Sequence, residues 1–223
     1  LSRAKGVADE PGGVELQTRA WFNENLESRN FYVPGVIAII VLLVTLMLTS
    51  MAVVREKEIG TMEQIMVTPI KPLEFILGKT VPFALIGFAD VLLITVVSLV
   101  WFEIPIRGSV LLLLGAAALY IMTSLGVGLL ISTVSETQQQ AMMSTFFFYF
   151  PAVLLSGFMF PIANMPPVIQ WLTYLNPLRY FLVIIRGIFL KGVGLHILWP
   201  QMVALAVMGI ITLLIGILLP TLS

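Results

Sequence analysis

Five stretches of this chain are apolar over about twenty residues or more and almost free of charge. They run from Val33 to Val54, Thr80 to Phe102, Ser109 to Val134, Ala141 to Ala163 and Ile197 to Leu219, and Asp90 is the one charged residue inside them. A helix rising 1.5 Å per residue needs roughly 20 such residues to cross about 30 Å of hydrocarbon. Inside lipid the backbone must satisfy its own hydrogen bonds, so an open sheet is excluded. The pattern predicts an all-α, polytopic membrane protein with five transmembrane helices.

A sixth apolar run, Pro177 to Leu190, is short and carries Arg179 and Arg186. Before it, Phe160 to Asn176 holds Pro161, Pro166 and Pro167 together with Trp171 and Tyr174. Prolines interrupt helices, and Trp and Tyr suit the headgroup level. The segment 161–196 therefore reads as a re-entrant or interfacial helical hairpin ahead of the last span.

Composition agrees with lipid as the solvent: 59% of the 223 residues are hydrophobic and 11% are charged, against about 25% charged in a soluble domain. A net charge of zero excludes a general basic surface for nucleic acid. The chain has no Cys, which removes disulfides and thiolate metal sites. Residues 1–32 are polar with no apolar core of a signal peptide, and the chain opens on Leu1. The expectation is the C-terminal part of a longer protein.

Five crossings put the ends on opposite sides. The loop 55–79 holds Arg55, Lys57, Lys71 and Lys79, whereas the other side holds Arg3, Lys5, Arg19, Arg29, Arg107, Arg179, Arg186 and Lys191. Taken alone, that count places loop 55–79 outside, but charges in long translocated segments weigh little, so the count does not decide orientation.

The stretch Arg55 to Pro69 holds the densest chemistry. Ile59, Met62 and Met66 recur at helical spacing, while Arg55, Glu56, Glu58 and Glu63 project elsewhere. This predicts a short amphipathic helix stopped by Pro69 and Pro72. Charge beside adaptable Met suits a docking partner; a helix resting on lipid headgroups has the same composition. Residue types leave the two readings even.

Other candidates weigh less. Gly78-Lys79-Thr80 resembles the end of a phosphate-binding loop, but Leu73 stands where that motif needs Gly, so nucleotide binding is rejected. Asp90 could contact substrate or relay a proton, yet no second acid, Lys or His lies in any span, which favours a packing role. Ser124, Gly128 and Ser132 form a small-residue stripe for close helix approach. Phe146, Phe147, Phe148, Tyr149 and Phe150 run into Pro151; an apolar path is weighed there against plain packing. Thr45, Thr49, Asp90, Phe146 and Tyr149 are the candidate substrate-pathway residues. His196, the sole histidine, has no Cys or second His for a metal site.

Three segments together resemble the permease subunits of ABC type-2 exporters of the bacterial multidrug-export kind. They are REKEIGTMEQIMVTPIKPLEFILGK (55–79), GLLISTVSETQQQA (128–141) and the stretch from Leu154 to Gln201. The resemblance implies six spans in the full subunit and a homo- or heterodimer of permeases. It also implies ATP and Mg on separate cytoplasmic ABC ATPase subunits, with no cofactor or catalytic residue on this chain. Residues 1–32 would be the tail of an extracytoplasmic domain and 33–223 the permease domain, in a bacterial inner membrane. Loop 55–79 would be cytoplasmic, against the charge count, and hairpin 161–196 outside. Arg55, Glu56, Glu58, Ile59, Gly60, Thr61, Met62, Glu63 and Met66 would couple to the ATPase. Two departures stand out: Ser135 and Glu136 replace a frequent basic residue before the QQQ run, and the chain stops at Ser223 without a basic tail. The competing reading is an ion-gradient-driven secondary transporter using Asp90; absent repeats and the single intramembrane charge weigh against it.

Overall fold

A computed structural model describes residues 28–60, 72–104 and 106–222. Seven α-helices lie among them: α1 (Ser28–Ile59), α2 (Pro72–Val100), α3 (Val110–Thr133), α4 (Gln138–Leu154), α5 (Pro167–Leu172), α6 (Pro177–Arg186) and α7 (Leu195–Leu222). No strand occurs among the described residues, as the backbone argument requires. The stretch 1–27, most of the expected extracytoplasmic tail, and the stretch 61–71 lie outside the described residues.

Four helices are long and apolar enough to cross by themselves, over Tyr32–Ile59, Thr80–Val100, Val110–Thr133 and Leu195–Gly216. The fourth predicted stretch, Ala141 to Ala163, differs in extent. Its helix α4 has 17 residues and ends at Leu154, where Ser156 and the left-handed Gly157 (φ +82°) turn the chain. The crossing is nevertheless made. Gln138 meets Glu58 at one end of α1, and Phe158 presses on Gly35 near the other, within 2.6 Å of where a Cβ would stand. On α1 those levels are 23 residues apart, roughly 35 Å at 1.5 Å per residue, so the turn after α4 completes the span.

The predicted hairpin is present, bent by 84° between Pro167–Leu175 and Pro177–Lys191. Asn176 makes the corner: its Oδ1 accepts from Leu178 N–H (3.1 Å), capping α6, and its Nδ2 donates to the Ala152 carbonyl of α4 (2.6 Å). Pro177 fits the first helical turn, where no N–H is needed. The arm beyond the corner is core and not interfacial, since Leu178, Phe181, Leu182, Ile184 and Ile185 are buried in the main cluster. The arm before it keeps Val168, Trp171, Leu172 and Leu175 exposed. Both hairpin arginines are engaged: Arg179 donates to Thr173 Oγ1 and lies 4.0 Å over the Tyr174 ring, and Arg186 donates to the Gly157 carbonyl at 3.3 Å.

The core forms where α1, α3, α6 and α7 meet. Close approach of α3 and α7 needs glycine on both helices. A Cβ on Gly126 would stand 2.8 Å from the Leu213 backbone nitrogen, and one on Gly216 would stand 2.9 Å from Leu129 Cβ. The stripe read from sequence does different work: a Cβ on Gly128 would meet Thr49 Cβ of α1 at 2.8 Å, while Ser124 and Ser132 are buried, each bonded to a carbonyl of its own helix.

Candidate functional site

The candidate site is the end of the bundle where α1 leaves the apolar layer and α3 turns into α4. α1 has 32 residues, about 48 Å of helix, so its last turn outruns a hydrocarbon layer of about 30 Å. Arg55, Glu56, Glu58 and Ile59 therefore continue α1 and form no separate helix up to that point. Gly60, at φ +79°, takes the left-handed conformation that ends a helix without Cβ strain, and its N–H bonds the Lys57 carbonyl at 3.1 Å. Thr61, Met62, Glu63 and Met66 lie outside the described residues.

Two consecutive residues of opposite charge reach from this turn to the α3–α4 connection. Lys57 Nζ donates to the Ser132 carbonyl at 2.9 Å, one of the last carbonyls of α3 that have no partner inside the helix. Glu58 Oε2 accepts from the Gln138 backbone N–H (3.2 Å) and from Gln138 Nε2 (2.9 Å), at the first residue of α4. Each charge thus meets the end of a helix dipole that it favours. Hydrogen bonding by the Gln138 side chain first, and its backbone second, holds the Glu58 carboxyl below its usual range.

The connection caps itself as well. Thr137 Oγ1 accepts from Gln140 N–H (3.2 Å), and Gln140 Oε1 accepts from Glu136 N–H (2.9 Å), a near relative of the capping box. Farther into the layer, Ser50 Oγ of α1 and Thr145 Oγ1 of α4 are 3.0 Å apart and hydrogen-bonded. Helices α1 and α4 run antiparallel and are tied at both levels.

The candidate pathway residues separate into two groups. Thr45 and Thr49 face into the bundle, fully buried against Gly87 and Gly128; Thr45 Oγ1 donates to the Val41 carbonyl at 2.6 Å. Phe146 instead borders open ground on α4 and stacks with Phe150 at 5.9 Å between ring centroids, whereas Tyr149 is half-buried against the core and meets Phe150 edge to face at 5.7 Å. Phe147 beside them is 84% exposed. Two apolar grooves lie here: about 640 Å³ lined by Met142, Met143, Phe146, Phe147, Phe150 and Pro151, and about 300 Å³ reaching Leu172 and Leu175 of the hairpin. Asp90 stands apart on α2, part-buried, and its Oδ2 has no partner among the described residues. The structure does not bring it together with the aromatic face. No group of three His, Cys, Asp or Glu side chains suited to a metal occurs among the described residues.

Lys57, Ser50, Thr145 and the Thr137–Gln140 cap escaped the sequence reading. Of these, only the cap has a local signal, Thr-Gln-Gln-Gln.

Residues 4–218 match the model of the family described as "ABC-2 family transporter protein". The chain belongs to the ABC-2 transporter family. The ABC-2 chain is 38% identical over 203 residues to the probable multidrug ABC transporter permease YbhR of Escherichia coli K12, covering 89% of this chain and 55% of that protein. It is 39% identical over 180 residues to the probable multidrug ABC transporter permease YbhS, covering 80% and 48%. It is 32% identical over 203 residues to the inner membrane transport permease YhhJ of the same organism, covering 88% and 53%. The ABC-2 chain thus spans about half the length of these curated relatives. It is the multi-pass transmembrane part of an ABC transporter, as the resemblance of segments 55–79, 128–141 and 154–201 implied.

Proposed function

We propose that this chain forms the substrate pathway of an ATP-driven exporter of the bacterial inner membrane. It pairs with a second permease subunit and couples to a separate cytoplasmic ABC ATPase through loop 55–79. The observation that carries the reading is the last turn of α1. It projects beyond the apolar layer, ends at Gly60, and leads into a loop whose far end is α2, so a partner gripping the loop pulls on two membrane helices together. In this reading Ile59, Met62 and Met66 fill an apolar cleft on the ATPase, while Arg55, Glu56 and Glu63 meet its polar rim. Gly60 and Thr61 let the backbones approach. The open aromatic grooves on α4 supply an apolar route for amphiphilic substrates, and ATP and Mg are bound by the partner alone.

The test is co-purification of the ATPase subunit with the full permease, together with efflux of a lipophilic dye from cells. Met62→Ala with Met66→Ala is expected to abolish capture of the ATPase and dye efflux while the protein still inserts, since central interface contacts cost on the order of 2 kcal/mol each. Arg107→Ala, on the far side of the bundle, is the control. Loop variants that capture the ATPase and export like the control sink the coupling role of 55–79.

A further inference from the structure

The segment 61–71 joins the end of α1 directly to α2, but α4, which carries the aromatic grooves, begins 80 residues after Glu58 in sequence. Something must connect the two if a push on the loop is to reach the grooves. The charges of Lys57 and Glu58 point into the bundle's own loop and not away from it. Lys57 holds the end of α3 through the Ser132 carbonyl, and Glu58 holds the start of α4 through two donors of Gln138. We propose that Lys57 and Glu58 form a two-pronged latch that makes the lower half of α4 move as one body with the end of α1, delivering the motion of loop 55–79 to the aromatic face. The inference rests on the coupling role proposed above and names the residues that transmit it.

Three features support a latch over an incidental surface contact. The sequence Lys-Glu places each sign against the helix end that attracts it, so reversing the order would repel at both. The connection between α3 and α4 is the short stretch Val134–Thr137, so both helix ends stand within reach of one turn of α1. Finally, the Ser50–Thr145 bond repeats the tie farther in. Counting from Glu58 back to Ser50 and from Gln138 on to Thr145 gives eight and seven residues, roughly 11 Å along each antiparallel helix. Two ties along a line fix the direction of α4 against α1, where one would let it swing. Beyond Thr145 come the exposed aromatics and Pro151, which has no N–H to offer the Phe147 carbonyl, so the helix softens there. The tied half moves with α1, and bending concentrates at the grooves.

Glu58 is exposed and Gln138 half-buried, so the Glu58–Gln138 prong contributes little to stability; its effect is on position. Lys57 and Glu58 are accordingly positioning residues that act through α3 and α4.

The experiment uses the full permease purified with its ATPase subunit. This chain has no native Cys; with every Cys elsewhere in the complex replaced by Ser, Phe147→Cys, at the most exposed ring of the groove, carries one environment-sensitive fluorophore. The readout is the change in its emission on adding ATP and vanadate, which needs no knowledge of the substrate. Gln138→Glu sets two carboxylates against each other and is expected to shrink that change roughly fivefold, the equilibrium equivalent of about one hydrogen bond. Adding Glu58→Gln to Gln138→Glu exchanges acceptor and donor across the same pair and is expected to restore it. A contribution to folding alone would not be rescued by that exchange in the ATP-driven signal. Should Gln138→Glu fail to fold, Gln138→Ala removes the side-chain bond without adding charge and is expected to shrink the change in the same direction. An unchanged signal in the single variant, no rescue in the exchanged pair, or no ATP-driven signal with the latch intact overturns the inference. Failure of the wild-type permease to capture the ATPase overturns the coupling reading beneath it.

Discussion

Phe181 lies flat on Tyr120, with ring centroids 4.2 Å apart and 6° between the planes. The Tyr120 hydroxyl donates to the Ala38 carbonyl at 2.9 Å, so the re-entrant arm, α3 and α1 meet at one fully buried point. Removing the Phe181 ring leaves a cavity that rigid helices cannot close. Phe181→Ala is expected to cost about 3–5 kcal/mol, read as a lowered unfolding midpoint in detergent. Tyr120→Phe keeps the stacking and loses one hydrogen bond, with an expected loss of about 1 kcal/mol. Equal losses for the two would show that packing at this point does not dominate.

Glycines within α3 predict opposite outcomes for one kind of substitution. At Gly126 a Cβ meets the backbone of α7, whereas at Gly115 it meets nothing within 4 Å. Gly126→Ala should force α3 and α7 apart and destabilise by about 1–3 kcal/mol. Gly115→Ala should stabilise by about 0.5–1 kcal/mol through helix propensity alone. Thermal unfolding of both variants in the same lipid nanodisc decides it.

Topology follows from which loops share a side. Arg107 N–H bonds the Phe189 carbonyl at 3.4 Å, joining the α2–α3 loop to the turn after α6. Lys57 and Glu58 join the α1 end to the α3–α4 loop. With the orientation proposed, Arg107→Cys should react with an impermeant maleimide on intact cells, and Glu136→Cys only after permeabilisation. The reverse pattern would put the α1 end outside and end the docking proposal.

Asp90 is the residue on which the secondary-transport alternative depends. As a packing residue, it should tolerate Asp90→Asn with dye efflux within about twofold of wild type, because Asn keeps the shape and an acceptor oxygen. The same variant should not alter the dependence of efflux on an imposed proton gradient. Loss of efflux in a folded Asp90→Asn protein would give the carboxylate a charge-dependent role.

Much of the architecture was legible along the chain. Hydropathy marks every crossing because the cost of placing polar groups in lipid adds up locally, residue by residue. Pro161, Pro166 and Pro167 marked the broken hairpin for the same kind of local reason, since each acts on its own backbone. Loop 55–79 stood out because charge clustered there and nowhere else between spans, and the resemblance of three segments pointed to the family.

Tertiary structure decided the faces and the ties. Spans that are apolar all round carry no periodic mark of which side meets protein, so Thr45 and Thr49 read as pathway residues yet pack on Gly87 and Gly128. The apolar run from Ala141 to Ala163 hid the end of α4 at Leu154, because the turn at Gly157 is as hydrophobic as the helix before it. Gly126 faces α7 and Gly128 faces α1; two residues apart on one helix, they point about 200° apart, and only the packed bundle says what each one meets. Glu58 looked like a charge for a partner, and Lys57 only like one more basic residue of its loop. Their bonds to Ser132 and Gln138, 75 and 80 residues away, exist because folding brings three helix ends to one place, a proximity that no local property of the sequence encodes.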